Sequence, residues 1–158
     1  MTVLLICGVF GIGIIAGLRS FTAPAVICWA TYFGWLDLGD SRLSFLGKPV
    51  TVGIVSLLAL GELVADKLPM TPNRTRPGPL LGRIAAAALA ATAIAIAARQ
   101  SVVMVSVVGM IGALGGTFGG YYARSSLVKR CGIPDFAIAL TEDLVAVGGA
   151  FCLVRQIA

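Results

Sequence analysis

Glu62 and Asp66 stand four residues apart in "GELVADK", and Glu142 and Asp143 stand side by side in "IALTEDLVA". On a helix the i, i+4 pair shares one face, about one turn apart along the axis. Each pair adjoins a strongly apolar run, and a charge at membrane depth is costly unless it faces a bundle interior, a partner or a wet path. The cations able to answer these acids are Arg19, the one charge between Met1 and Asp37, and Arg124, which closes a glycine-studded run. Such a set could handle a cation or a proton, with the arginines as countercharges or as an anion site. Glu62, the deeper of its pair, is the acid expected to be buried. Ordinary structural readings stay open beside this one. Glu142 and Asp143 open the last helix, where negative charge suits the helix dipole, and Asp66 with Lys67 reads as a solvated helix end.

Metal and cofactor chemistry is not expected. The chain has no histidine, and Cys7, Cys28, Cys131 and Cys152 are scattered without a Cys-x-x-Cys pair, so neither a zinc site nor a disulfide framework is in view. Small buried apolar residues are the better reading of the cysteines. No nucleophile motif is present, although paired acids alone can serve as acid and base; an enzyme is the least favoured class.

Lys67 and Pro69 are expected to close the first acid helix, and "PMTPNRTRPGP" follows. Pro69, Pro72, Pro77 and Pro79 stiffen that segment, while Arg74 and Arg76 alternate with Asn73 and Thr75 as donors. Lys67, Arg74 and Arg76 could hold lipid phosphate there, or could simply anchor the loop on the cytoplasmic face.

The elements that must position these groups follow from composition. Of 158 residues, 58% are hydrophobic and 12% charged, and mean hydropathy is +0.98, the profile of an integral membrane protein. The fold class is all-α, a polytopic membrane helix bundle in one domain, 1–158. Spans of about the required length lie at 2–19, 50–67, 80–98, 101–123 and 134–155, the first being retained rather than a cleaved signal. Residues 20–36 are uncharged and aromatic. Pro24 favours a break soon after Arg19, and Trp29, Tyr32, Phe33 and Trp35 resemble an interfacial belt, which predicts a short interfacial or re-entrant helix, with a sixth span as the alternative. With five spans, one side carries seven lysines and arginines and the other five, so the 68–83 and 124–133 loops are expected in the cytoplasm, the N-terminus inside and the C-terminus outside. The basic excess suits an anionic leaflet and calls for no nucleic acid.

Two further patterns concern arrangement. "GIGIIAGLRSF" and "GTFGGYYARSS" both end in Arg-Ser, and each precedes an Ala-Leu-x-Glu helix. Half-repeats 1–68 and 101–158, linked by helix 80–98, would be inverted copies, a recurring transporter architecture; in that case Glu62 and Glu142 face a shared polar cavity beside Arg19 and Arg124. Chance likeness between glycine-rich helices is the alternative. Gly112, Gly116 and Gly120 form a stripe, and Gly13 and Gly17 a shorter one, which permit close helix packing; a glycine-lined pore is the other reading. Whether such a stripe meets this chain or a second copy stays open, so the expected partners are the lipid bilayer, a homodimer and an ion or small solute.

"GELVADKLPMTPNRTRPGPLLGR", with "GLRSFTAPA" and "TEDLVAVGGAF", resembles DUF4126, a family of small bacterial membrane proteins known as a domain of unknown function. The likeness covers most of the chain, with the core pattern on Gly61, Glu62, Asp66, Lys67, Pro69, Pro72 and Arg74. It implies a bacterial inner-membrane location and no established activity. "GALGGTFGGYYARSSL" is similar to the glycine-arginine helix of small fluoride channels that work as antiparallel dimers, but their Thr/Ser-Phe-Ser-Thr run has no counterpart here. Together these readings favour a carrier or channel for an ion or small polar solute. The alternative is a non-transporting protein that binds lipid headgroups or scaffolds partners through the basic loop.

Overall fold

The computed structural model describes residues 2–66, 76–131 and 135–158. Among these, every regular element is helical: α1 (Val3–Leu18), α2 (Thr22–Tyr32), a 3-10 turn at Ser44–Gly47, α3 (Pro49–Ala65), α4 (Pro77–Ala97), α5 (Val102–Cys131) and α6 (Asp135–Ile157). Helix α4 and most of α5 and α6 are long and apolar enough to cross a membrane, and α1 and α3 are shorter apolar helices. Outward residues such as Val3, Leu57, Val64, Met104 and Leu144 are apolar and exposed, the surface of helices solvated by lipid rather than water. The chain is an integral membrane helix bundle.

Proline placement sets several starts. Pro49 and Pro77 each open a helix, where the missing N–H would have had no intrahelical partner. Pro24 falls in the first turn of α2, so the expected break after Arg19 occurs: α1 stops at Leu18 and Arg19 is extended, at φ −140° and ψ 111°. Helix α4 stops differently. Arg99 takes a left-handed φ of 52°, and the amides of Arg99 and Gln100 donate back to Ile96 and Ala95 at 3.1 and 2.9 Å, a Schellman closure without the usual glycine.

Helix directions correct the five-span topology. Glycines of α1 face α5 in ascending order, Gly13 against Gly109 and Gly17 against Ala113, so α1 and α5 are parallel. Glu62, near the end of α3, reaches Ser20 and Phe21 at the end of α1, while Trp29 of α2 donates to Ser56 of α3 at 3.0 Å. Helices α1 and α3 therefore run the same way, and α2 carries the chain back between them. Both chain ends lie at one end of the bundle, where Thr2 and Gln156 line the same cleft. Residues 20–36 thus act as a return element, buried from Thr22 to Cys28, and not as an interfacial segment. At 11 residues, α2 is too short for a full crossing; as non-spanning helix and turn it survives by being covered with protein. Trp29, Phe33, Trp35 and Phe151 stack in a chain at its far end, with centroids 5.3 to 6.4 Å apart.

The parallel pairing of α1 and α5 also corrects the inverted repeat, which would set them antiparallel; only α3 and α6 run oppositely, Leu153 and Ile157 of α6 lying against Gly11 and Gly8 of α1. Two helix bounds differ as well. Residues 124–131 continue α5, because nothing in "ARSSLVKRC" stops a helix before Gly132 and Pro134. Helix α6 begins at Asp135, so Glu142 and Asp143 lie two turns inside it and the dipole reading does not hold.

Gly13, Gly17, Gly112 and Gly116 lie where the backbones of α1 and α5 approach each other. A Cβ on any of them would collide with a carbonyl oxygen across the α1–α5 contact, those of Gly109, Ala113, Phe10 and Ile14 respectively. Gly120 instead lines an open groove. Of the cysteines whose surroundings are described, Cys28 is buried, whereas Cys7 and Cys152 are exposed on the lipid-facing surface.

Candidate functional site

The turn between α1 and α2 is where the charges meet. Arg19 is completely buried. Its guanidinium forms an ion pair with Asp66 at the end of α3 and a second with Asp143 of α6 at 2.5 Å. A planar, always-charged fork suits two carboxylates approaching from different helices. Glu62 does not pair with Arg19: it accepts from the backbone amides of Ser20 and Phe21 at 2.7 and 2.8 Å. It therefore supplies the acceptor that the start of α2 lacks, since Phe21 provides no side-chain cap. The acid that is buried is Asp143, not Glu62, and the reason is the helix direction: α6 passes behind the turn while α3 flanks it.

Arg83 completes the turn and was not singled out by the sequence. It is buried and donates to the carbonyl oxygens of Gly17 and Leu18, the latter at 3.2 Å. The Thr117 hydroxyl donates to Gly17 as well, at 3.1 Å. A cation against the orphan carbonyls at the end of α1 also meets the negative end of its dipole. The available signal was a lone arginine six residues inside α4, directly before "IAAAALAATA"; counted as a loop charge it carried no such meaning.

Arg124 and Glu142 form a separate pair at 3.8 Å between α5 and α6, so the expectation that Glu62 and Glu142 share one cavity is not met. They are the charged residues lining a groove of about 530 Å³, otherwise bounded mainly by glycines and apolar residues of α5, by Thr141 and apolar residues of α6, and by Ile14 and Leu18 of α1. Arg76 is exposed at the start of α4. Lys67 and Arg74 lie outside the described residues. Among the described residues no cluster of three acids, cysteines or histidines is placed to hold a metal ion.

A family model described as "Domain of unknown function (DUF4126)" matches residues 6–155. The chain belongs to the DUF4126 family. No curated protein and no solved structure matches it. In this DUF4126 protein Glu62 and Asp66, the acids of the motif around Gly61, converge on the α1–α2 turn, one holding its amides and the other its arginine. The motif residues Pro69 and Pro72 lie outside the described residues.

Proposed function

We propose that the protein is a membrane carrier or channel for an ion or small polar solute, and that the solute is handled at the Arg19–Phe21 turn. The observation that supports this is the state of Arg19: its guanidinium is sealed between carboxylates of α3 and α6, yet its Nε–H has no acceptor among the described residues. A buried donor without a partner costs about 1–3 kcal/mol, and a solute oxygen or a water at that atom would remove the cost. Interrupted helices whose ends meet charged side chains are a recurring setting for transported ions. Because Arg19 is fully buried, transport requires the turn to open. Uptake by proteoliposomes across a panel of ions and small polar solutes tests the reading. A flux lost in Asp143→Asn but retained in Asp143→Glu, which keeps the charge, is the expected result, together with faster thiol labelling of Ser20→Cys when solute is added. Absence of flux for every solute, or undiminished flux in Asp143→Asn, overturns it.

The lipid-headgroup reading draws on one observation of its own. Among the described residues, Arg19, Arg76, Arg83 and Arg124 lie toward one end of the bundle, where α1 stops and α4 starts. This end is proposed to face the cytoplasm of a bacterial inner membrane, where anionic lipid attracts basic segments. Anionic-lipid retention that falls in Arg76→Ala, without any flux, would favour that role over transport.

A further inference from the structure

A polar cleft lies where α2 hands over to α3, at the opposite end of α3 from Asp66. Helix α3 has 17 residues, about 25 Å of axis, so the cleft is separate from the Arg19 turn. Its volume is about 610 Å³, within the range of small-ligand sites. Thr31 and Gly34 of the α2 end form one wall, and Ser44, Gly47, Lys48 and Pro49 form the other. Local structure fixes both. Gly34 and Gly39 take left-handed φ values of 73° and 49°, turning the backbone where a Cβ would resist it. Leu36 and Leu38 are buried beside them, and Gly47 lies so close to Thr31 that a Cβ there would come within 2.8 Å of its methyl group. The two walls are thereby pinned to each other.

Charges of opposite sign share this cleft without joining. Asp37 and Lys48 both line it, yet the Asp37 carboxylate accepts from the Gly39 amide at 2.9 Å through one oxygen, and the Lys48 ammonium has no partner among the described residues. Such a pair leaves room for a molecule that bridges it, with an ammonium for the carboxylate and a carboxylate for the lysine. The helix ends have the same polarity, since α2 stops beside the first wall and α3 starts at the second, which places a negative dipole end on one and a positive end on the other. Apolar lining is limited to Leu36, Leu38 and Pro49, a poor seat for an acyl chain. We infer that the cleft binds a small free zwitterion of the amino-acid class, with its ammonium on Asp37 and its carboxylate on Lys48.

The test is equilibrium binding to the full chain in detergent. Radiolabelled alanine, β-alanine and γ-aminobutyrate hold their two charges at increasing separation, and propylamine and propionate carry one charge each. At least one of the zwitterions should bind more tightly than both single-charge compounds. For that zwitterion, Asp37→Asn, which keeps an acceptor for the Gly39 amide, and Lys48→Met, which keeps the apolar stem, should each weaken binding about tenfold, the effect of one charge-assisted hydrogen bond, with the unfolding profile kept. No preference for any zwitterion, or binding unchanged in either variant, overturns the assignment. So does binding of phosphoethanolamine with none of the amino acids bound, because the cleft would then hold a lipid headgroup. The readout is binding and not flux, so failure here is distinguishable from failure of the transport proposal.

Discussion

Arg19 organises the interior through what it leaves behind when removed. Two carboxylates from different helices converge on it, and breaking a buried ion pair by deleting one partner strands the other charge, typically at 3–5 kcal/mol. Arg19→Met should therefore lose about that much in denaturant unfolding in detergent, and Arg19→Lys should lose less, because it keeps the charge but not the two-pronged fork. An Arg19→Met protein with the wild-type midpoint would show that the cluster carries no stability. Arg83 works on backbone instead, covering the carbonyls that end α1. Arg83→Met should cost about 1–3 kcal/mol by leaving those buried acceptors underserved, measurable in the same unfolding experiment.

At the scale of elements, two glycine faces of α5 behave oppositely. The face with Gly112 and Gly116 touches the backbone of α1, whereas a Cβ on Gly115 or Gly119 would meet nothing within 4 Å among the described residues. Helices in lipid associate through close backbone approach, not through escape from water, so Gly116→Leu should separate α5 from α1 and destabilise the fold by at least the 1–3 kcal/mol of ordinary overpacking. Gly115→Ala should be neutral or raise stability by up to about 1 kcal/mol, the relief of glycine's backbone entropy. Equal effects at both sites would remove the distinction between the faces. The end of α4 gives a second check. Arg99 holds a left-handed conformation that side chains with a Cβ resist by about 1–2 kcal/mol. Arg99→Gly should accordingly raise the unfolding midpoint.

For the whole molecule, the return of the chain through α2 has a consequence that cell experiments can read. The chain ends lie at one end of the bundle and Arg19, Arg76 and Arg83 at the other. With that basic end in the cytoplasm, Arg76→Cys in intact cells should resist an impermeant thiol reagent, whereas Gln100→Cys should react and a C-terminal reporter should be external. Labelling of Arg76→Cys but not of Gln100→Cys would reverse the orientation, and labelling of both would break the topology.

Composition and the length of the apolar runs were enough to specify a helical membrane protein, because continuous apolar runs of about 20 residues fit a crossing helix that satisfies its own backbone in lipid. Pro24 marked the break after Arg19 for the local reason that proline fixes φ and lacks an amide hydrogen, whereas Pro77, read as part of a stiff loop, opens α4. Gly13, Gly17, Gly112 and Gly116 announced close packing through their spacing. Glu62, Asp66, Asp143 and Arg19 were legible as charges in need of partners, but which acid meets which base was not. That depends on helix direction, and direction depended on whether 20–36 returns the chain, a question that 11 helical residues covered by protein answer through tertiary contacts and not through hydropathy. The same uncertainty produced the inverted repeat: a likeness between "GLRSF" and "YYARSS" says nothing about orientation, and packing set α1 parallel to α5. Arg83 was hidden because its partners are backbone carbonyls of another helix, and no pattern of side chains encodes a contact that exists only once α1 ends beside the start of α4.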